Sequence, residues 1–203
     1  GKGNKKYQPQ FDVLSDGWRQ PGSSIKPLVY LLGIDDKTMT ASTMFMDVVT
    51  NFASPGAKSW FPTQADGMER GPVRLRSALR VPRNIPAIKT LQSLGVEAGI
   101  EYARRLGLKG ELPPYLPIAL GAGEATLQEM VGAFGTFANQ GLRMEPMPVT
   151  RIADREGNVL EEPRPQAKDA IRADTAYLMT SLMRGVVERG TAVRARALKR
   201  PIA

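Results

Sequence analysis

From Pro27 to Ile34 the chain reads Pro-Leu-Val-Tyr-Leu-Leu-Gly-Ile, with no charge and no polar stripe. A segment without a polar face belongs inside a fold, as helix or as strand. Two local features favour the helix. Ser23 and Ser24 just ahead of the run are residue types that cap helix starts, and Pro27 is tolerated in a first turn. The chain is therefore expected to build its core around a helix that runs from Ile25 to Ile34. With 203 residues and a hydrophobic fraction of 42 %, there is apolar material for one domain or most of one.

The other elements are expected to be mostly helical. Residues 1–22 read as loop, closed by a Pro21-Gly22 turn signal. Residues 35–71 hold Pro55-Gly56, Pro62 and Asp66-Gly67 and read as irregular, with short strands at most. A short helix is expected over Pro72–Arg80. A helical pair, Asn84–Leu94 and Val96–Leu106, is broken near Gly95. Gly107 to Gly123 reads as Pro-rich loop. Thr126-Leu127-Gln128-Glu129 is a capping-box pattern, opening a helix to about Asn139 that stops at Gly141. Val149–Asp154 and Val159-Leu160 flank Glu156-Gly157-Asn158 and predict a small hairpin. A polar linker over 161–170 leads to a last helix, capped by Asp174, running to about Glu188 and ended by Gly190. There is no internal repeat.

Composition removes whole classes of chemistry. The chain has no cysteine, hence no disulfide and no thiolate nucleophile. It has no histidine, which excludes the Ser-His-Asp triad, the Cys-His pair and nearly every zinc site. No metal and no cofactor is expected. Any nucleophile must be activated by Lys, Asp, Glu or Tyr. The net charge of +8 favours anionic partners in general. The basic residues are spread along the chain without interleaved aromatics, which reads as a solvated basic surface and not as a nucleic-acid site. No apolar stretch approaches the ~18 residues a membrane span needs. The polar, lysine-rich start, Gly1 to Tyr7, is not a signal peptide. Trp60 near Pro62 is expected to pack on the proline. Met39, Met44 and Met46 are expected as gap-fillers.

One local pattern carries chemistry. In Gln20-Pro21-Gly22-Ser23-Ser24-Ile25-Lys26-Pro27, Ser23 and Lys26 are three residues apart. A helical turn puts both on one face. A serine hydroxyl needs a base to become a nucleophile, and a lysine serves if burial disfavours its ammonium form. The apolar run behind Lys26 would supply that burial. Backbone N–H groups at the helix start would face a developing oxyanion. Spacing alone does not establish this, because an N-capping serine beside a surface lysine has the same pattern.

The wider sequence resembles the transpeptidase domain of class A, bifunctional penicillin-binding proteins, the penicillin-binding protein 1A family. RQPGSSIKP (Arg19–Pro27) is similar to the nucleophile motif of that family. In family order follow the Trp60-Phe61-Pro62 turn, GPVRLRSAL (Gly71–Leu79), RNIPAI (Arg83–Ile88) and EYARRLGL (Glu101–Leu108). LGAGEATLQEM (Leu120–Met130), FANQG (Phe137–Gly141) and the Val186–Thr191 stretch complete the match. The resemblance implies a mainly α chain with a small antiparallel β element. That would be the helical part of the α/β serine β-lactamase-like fold, with most of the central sheet outside the chain limits. Residues 1–203 would be a partial transpeptidase domain that stops before the Lys-Thr-Gly strand.

The resemblance further implies that Ser23 attacks the D-Ala-D-Ala carbonyl of a peptidoglycan stem peptide and Lys26 takes its proton. Asn84 would hydrogen-bond the substrate amide and the lysine, and Thr191 would lie towards the site rim. An acceptor amine would then form a crosslink, and β-lactams would acylate the same serine. The implied location is the extracytoplasmic face of the bacterial cytoplasmic membrane, with any membrane segment outside this chain. Two departures stand out. The family's Ser-x-Asn element reads Pro82-Arg83-Asn84, so the serine that relays a proton is a proline without a hydroxyl, and Ser77 replaces it only in name. The sequence also contains no Lys-Thr-Gly. The isolated chain is therefore expected to be inactive. A non-catalytic stem-peptide-binding domain is the alternative. A β-lactamase-like hydrolase would need a deacylating glutamate, for which Glu124 is a candidate, but its flanking residues follow the transpeptidase pattern.

Overall fold

The computed structural model describes residues 11–53 and 58–203. The start of the chain and the Pro55-Gly56 turn signal lie outside the described residues. The unstriped apolar run forms helix α1 (Lys26–Asp35), entered without a break from a 3-10 turn over Gly22–Ile25. Eight of its ten residues are buried, so it has no solvent face to speak of. The remaining helices are α2 (Leu75–Arg80), α3 (Asn84–Leu94), α4 (Val96–Arg105), α5 (Leu127–Ala138) and α6 (Ala173–Arg189). α1 packs against α2, α3, α4 and α6, and α6 also packs on α2 and α5. Leu28, Tyr30, Leu31, Leu75, Ile85, Ile88, Leu91, Met179 and Leu182 form the continuous core between them.

The helical pair falls where the sequence places it. Gly95 breaks it with a φ of 92°, in the region where glycine is at ease. The capping box at the head of α5 is complete. The Glu129 N–H donates to Thr126 Oγ1 at 3.2 Å, and the Thr126 N–H donates to Glu129 Oε2 at 3.3 Å.

Strands are short and come in antiparallel pairs. β1 (Met44–Asp47) pairs with β2 (Gly71–Arg74), with Met44 opposite Arg74 and Asp47 opposite Gly71. β3 (Leu142–Met144) pairs with β6 (Ala167–Asp169), and between them β4 (Ile152–Ala153) and β5 (Val159–Glu161) make the expected hairpin.

Several expectations are corrected. Pro72–Arg74 is strand, and the helix starts only at Leu75, because pairing with β1 overrides the local pattern. The polar segment 161–170 is not merely a linker. Residues 167–169 pair with β3 through the backbone, which needs no apolar signature. The Pro-rich loop contains a 3-10 helix, Leu116–Leu120, and another, Val193–Leu198, follows α6. Asp174 is the second residue of α6, not its N-cap. Met44 and Met46 are about half exposed and fill no gap, whereas Met39 packs against Gly33. Not a correction but an addition is the packing of Trp60 on Phe52, with ring centroids 6.0 Å apart.

The central position of α1 has a measurable consequence. Leu31→Ala, at a site with no exposed surface, is expected to lower unfolding free energy by about 2–5 kcal/mol. Leu178→Ala, on the solvent side of α6, is expected to stay within about 0.5 kcal/mol. Denaturant unfolding of both variants checks the contrast.

Candidate active site

The 3-10 turn that carries Ser23 is fixed from two sides. Ahead of it, the Arg19 N–H donates to the Ala125 carbonyl at 3.1 Å and the Ala125 N–H returns a bond to Arg19 at 3.0 Å. Beside it, Gly121 lies so close that a Cβ there would overlap the backbone of Gly22. Gly121 also has a φ of 84°, so only glycine serves both demands. Within the turn, Ser24 Oγ donates to the Pro21 carbonyl at 2.6 Å. Ser23 itself is exposed, and its Oγ has no hydrogen-bond partner among the described residues.

A 3-10 turn has three residues per turn, so positions i and i+3 stack on one face. Lys26, the first residue of α1, thus lies one turn below Ser23. Its side chain has no exposed surface. The two residues are not hydrogen-bonded to each other. Instead, Lys26 Nζ donates to Asn84 Oδ1 at 2.6 Å. Asn84 opens α3, and α3 packs along α1, which brings residues 58 apart in sequence into contact.

Asn84 is itself gripped. Its Nδ2 donates to the Thr63 carbonyl at 2.6 Å, and its backbone N–H donates to Gln64 Oε1 at 2.7 Å. Gln64 Nε2 donates to Asp47 Oδ1. Asp47 Oδ2 accepts from Arg83 Nε at 2.7 Å. The Arg83 guanidinium spans both oxygens of Asp66 at 2.8 Å and also donates to the Met68 carbonyl. Arg83, Asp47 and Gln64 are all buried.

The electrostatics follow from this arrangement. Burial pushes the Lys26 ammonium down to about 8, the Arg83 cation acts in the same direction, and the Asp47 carboxylate opposes both. The free-amine fraction at neutral pH rises by roughly two orders of magnitude over an ordinary lysine. Asp66 is held well below the usual carboxylate range, first by the Met68 N–H and then by Arg83 and Arg70.

Of the residues predicted from sequence, Lys26 and Asn84 are in contact and Ser23 stands one turn from Lys26. Thr191 is not hydrogen-bonded to that group. Its N–H donates to the Arg80 carbonyl at 3.4 Å, where Gly190 lets the end of α6 approach the end of α2. Glu124 is exposed, and its backbone N–H donates to the Glu111 carbonyl at 2.9 Å. Ser77 makes no side-chain hydrogen bond to the group. Asp47, Gln64 and Asp66 were missed. They lie in the stretch read as irregular, where no local sequence pattern marks them. Among the described residues no group of acidic side chains could hold a metal ion, and no helix is long and apolar enough to cross a membrane.

Comparison with known proteins places these features in a family. The model of the penicillin-binding protein transpeptidase domain matches residues 2–202. Penicillin-binding protein 1A of Neisseria lactamica is 38 % identical over 202 residues, covering 96 % of this chain and 25 % of that protein. The chain thus spans about a quarter of the length of that relative. The crystal structure of penicillin-binding protein 1A from Haemophilus influenzae superposes with a TM-score of 0.87 at 26 % identity, over 92 % of this chain and 33 % of that one. Penicillin-binding protein A from Mycobacterium tuberculosis, solved as a ceftriaxone acyl-enzyme, shares the fold with a TM-score of 0.77 at 18 % identity, over 84 % of this chain and 43 % of that one.

The buried amine makes stability depend on pH. The folded state holds Lys26 at about 8 and the unfolded chain near 10.5, so the unfolded state binds more protons between these values. Unfolding free energy therefore gains on the order of 3 kcal/mol from this group as pH rises through the window. The difference between wild type and Lys26→Met isolates the gain. Denaturant unfolding at pH 7 and pH 10 is expected to show the variant losing the rise.

Proposed function

The chain belongs to the penicillin-binding protein transpeptidase domain family, and on that premise we propose that it is the nucleophile-bearing part of a peptidoglycan D,D-transpeptidase. Ser23 is the acylated residue, Lys26 its base and Asn84 the group that holds the base. The observation that carries this reading is the contact at 2.6 Å between the buried Lys26 amine and the half-buried Asn84, one turn from an exposed serine.

In the acylation step, Ser23 Oγ bonds to the carbonyl carbon of the penultimate D-Ala while its proton passes to Lys26 Nζ. The amide bond then breaks, and the terminal D-Ala leaves as an amine that takes a proton. The Ser23 N–H, at the second position of its turn and without an intrahelical partner, faces the developing oxyanion. In the second step an amine from a neighbouring stem attacks the ester. A new amide forms, and Ser23 Oγ is released with a proton. A β-lactam enters the same first step, but its leaving nitrogen stays tethered and the ester persists. The parent protein would act on the extracytoplasmic face of the cytoplasmic membrane, held there by a segment outside these residues. Residues 1–203 are a partial domain, and without a Lys-Thr-Gly element they are inactive alone.

Pro82 favours a second reading. It stands where the family has a hydroxyl, so the domain would bind stem peptides without turnover. Intact-mass measurement of the parent protein after penicillin treatment separates the two. The proposal expects one adduct, mapped to Ser23 and abolished in Ser23→Ala. No adduct supports the binding domain, and an adduct that survives Ser23→Ala removes the nucleophile assignment. The 203-residue chain alone is expected to take up no fluorescent penicillin.

A further inference from the structure

Behind Lys26 and Asn84 stands a buried polar chain for which the acylation step has no direct use. It begins at Asp47, the inward-facing acid at the end of β1. One Asp47 oxygen takes Arg83 Nε at 2.7 Å and the other takes Gln64 Nε2. A carboxylate only accepts, so it dictates which end of the Gln64 amide faces it. The other end, Oε1, must then face away, and it takes the Asn84 N–H at 2.7 Å. The neighbouring Thr63 carbonyl takes Asn84 Nδ2 at 2.6 Å. Two consecutive residues thereby set both the backbone and the amide orientation of Asn84. Its Oδ1 is left pointing at Lys26 Nζ.

We propose that Asp47, through Gln64, is a positioning residue for the Lys26–Asn84 pair and the counter-charge to the Arg83 cation beside the base. This rests on the reading of Lys26 as the base of Ser23. The charged groups that bear on Lys26 are Arg83 at the head of α3 and Asp47 at the end of β1, with Asp66 bound to the far side of Arg83. Asp47 thus fixes the Gln64 amide and, through it, the Asn84 backbone, while the adjacent Thr63 carbonyl fixes the Asn84 amide. Removing the Asp47 charge leaves Arg83 less opposed, so Lys26 would lose its proton at lower pH. Removing the Gln64 amide leaves the charges in place and releases the Asn84 backbone N–H, which loosens the seat from which the Asn84 side chain meets Lys26.

The test uses the parent protein and the rate constant for acylation by a chromogenic penicillin between pH 6 and pH 10, with melting temperatures alongside. Wild type is expected to rise to a plateau with a midpoint near 8. Asp47→Asn is expected to move that midpoint lower by at least about half a pH unit. Gln64→Met is expected to keep the midpoint and lower the plateau about tenfold. An unmoved midpoint in Asp47→Asn, with a Ser23 adduct intact, overturns this inference and leaves the site reading standing. If Asp47→Asn does not fold, Gln64→Met decides alone: a wild-type plateau overturns the proposal. A wild type without a Ser23 adduct overturns the site reading, and this inference with it.

Discussion

An amine cut off from water must be solvated by the protein, and the fold around the site is arranged to solvate Lys26. The residue stands at the head of α1, the helix with the least solvent access, where a charge would be very costly if left unpaired. The acceptor that meets it, Asn84 Oδ1, is supplied by the first residue of α3. For that oxygen to be in place, α3 must start where it does and lie along α1. The loop from Thr63 to Met68 must also close over its end. Packing of the apolar faces and satisfaction of one polar atom thus demand the same arrangement. Buried ionic groups seldom add net stability over apolar replacements. Their retention here is better explained by what they orient than by what they contribute to folding.

Much of this was legible from sequence, and the parts that were not share a cause. The burial of α1 was readable from an unbroken apolar run, and its helical form from the residues that lead into it, with Pro27 tolerated in a first turn. The α3–α4 break was readable from Gly95, and the start of α5 from the reciprocal bonds of Thr126 and Glu129. Ser23, Lys26 and Asn84 were named from motif context. What stayed hidden was the support. Strand β1 runs Met44-Phe45-Met46-Asp47 with Met44 and Met46 turned to solvent and Phe45 and Asp47 turned inward. An acid in the core and methionines outside invert the usual pattern, so period-2 reading marks the wrong face. Gln64 and Asp66 lie beside a turn signal in a segment with almost no regular structure. The bonds that give them a role reach Asp47 and Arg83, 17 residues away in each case. No local rule reaches that far.

The electrostatic setting also separates two tasks that the sequence motif merges. Burial alone brings the Lys26 amine towards neutrality, and the Arg83–Asp47 pair then adjusts the result in opposite directions. Desolvation is set by the helices and changes only with the core. The pair sits at the edge of the core and is bound to a surface loop through Asp66, whose carboxylate is partly exposed. The coarse and fine settings of one amine therefore come from different parts of the molecule. Repacking the core would disturb the first, and rearranging the 61–70 segment would disturb the second.

The contact between Gly121 and Gly22 bears on how far the serine turn can be altered at all. Where two side chains meet, a position can be shifted in small increments by exchanging one apolar residue for another of slightly different size. Where two backbones meet, the smallest available change is a whole methyl group, and there is no room for one. The seat of Ser23 on that side is consequently fixed in one step and lacks intermediate settings. What can vary on this turn is the pair of side chains it exposes, Ser23 and Ser24, which change without moving its backbone.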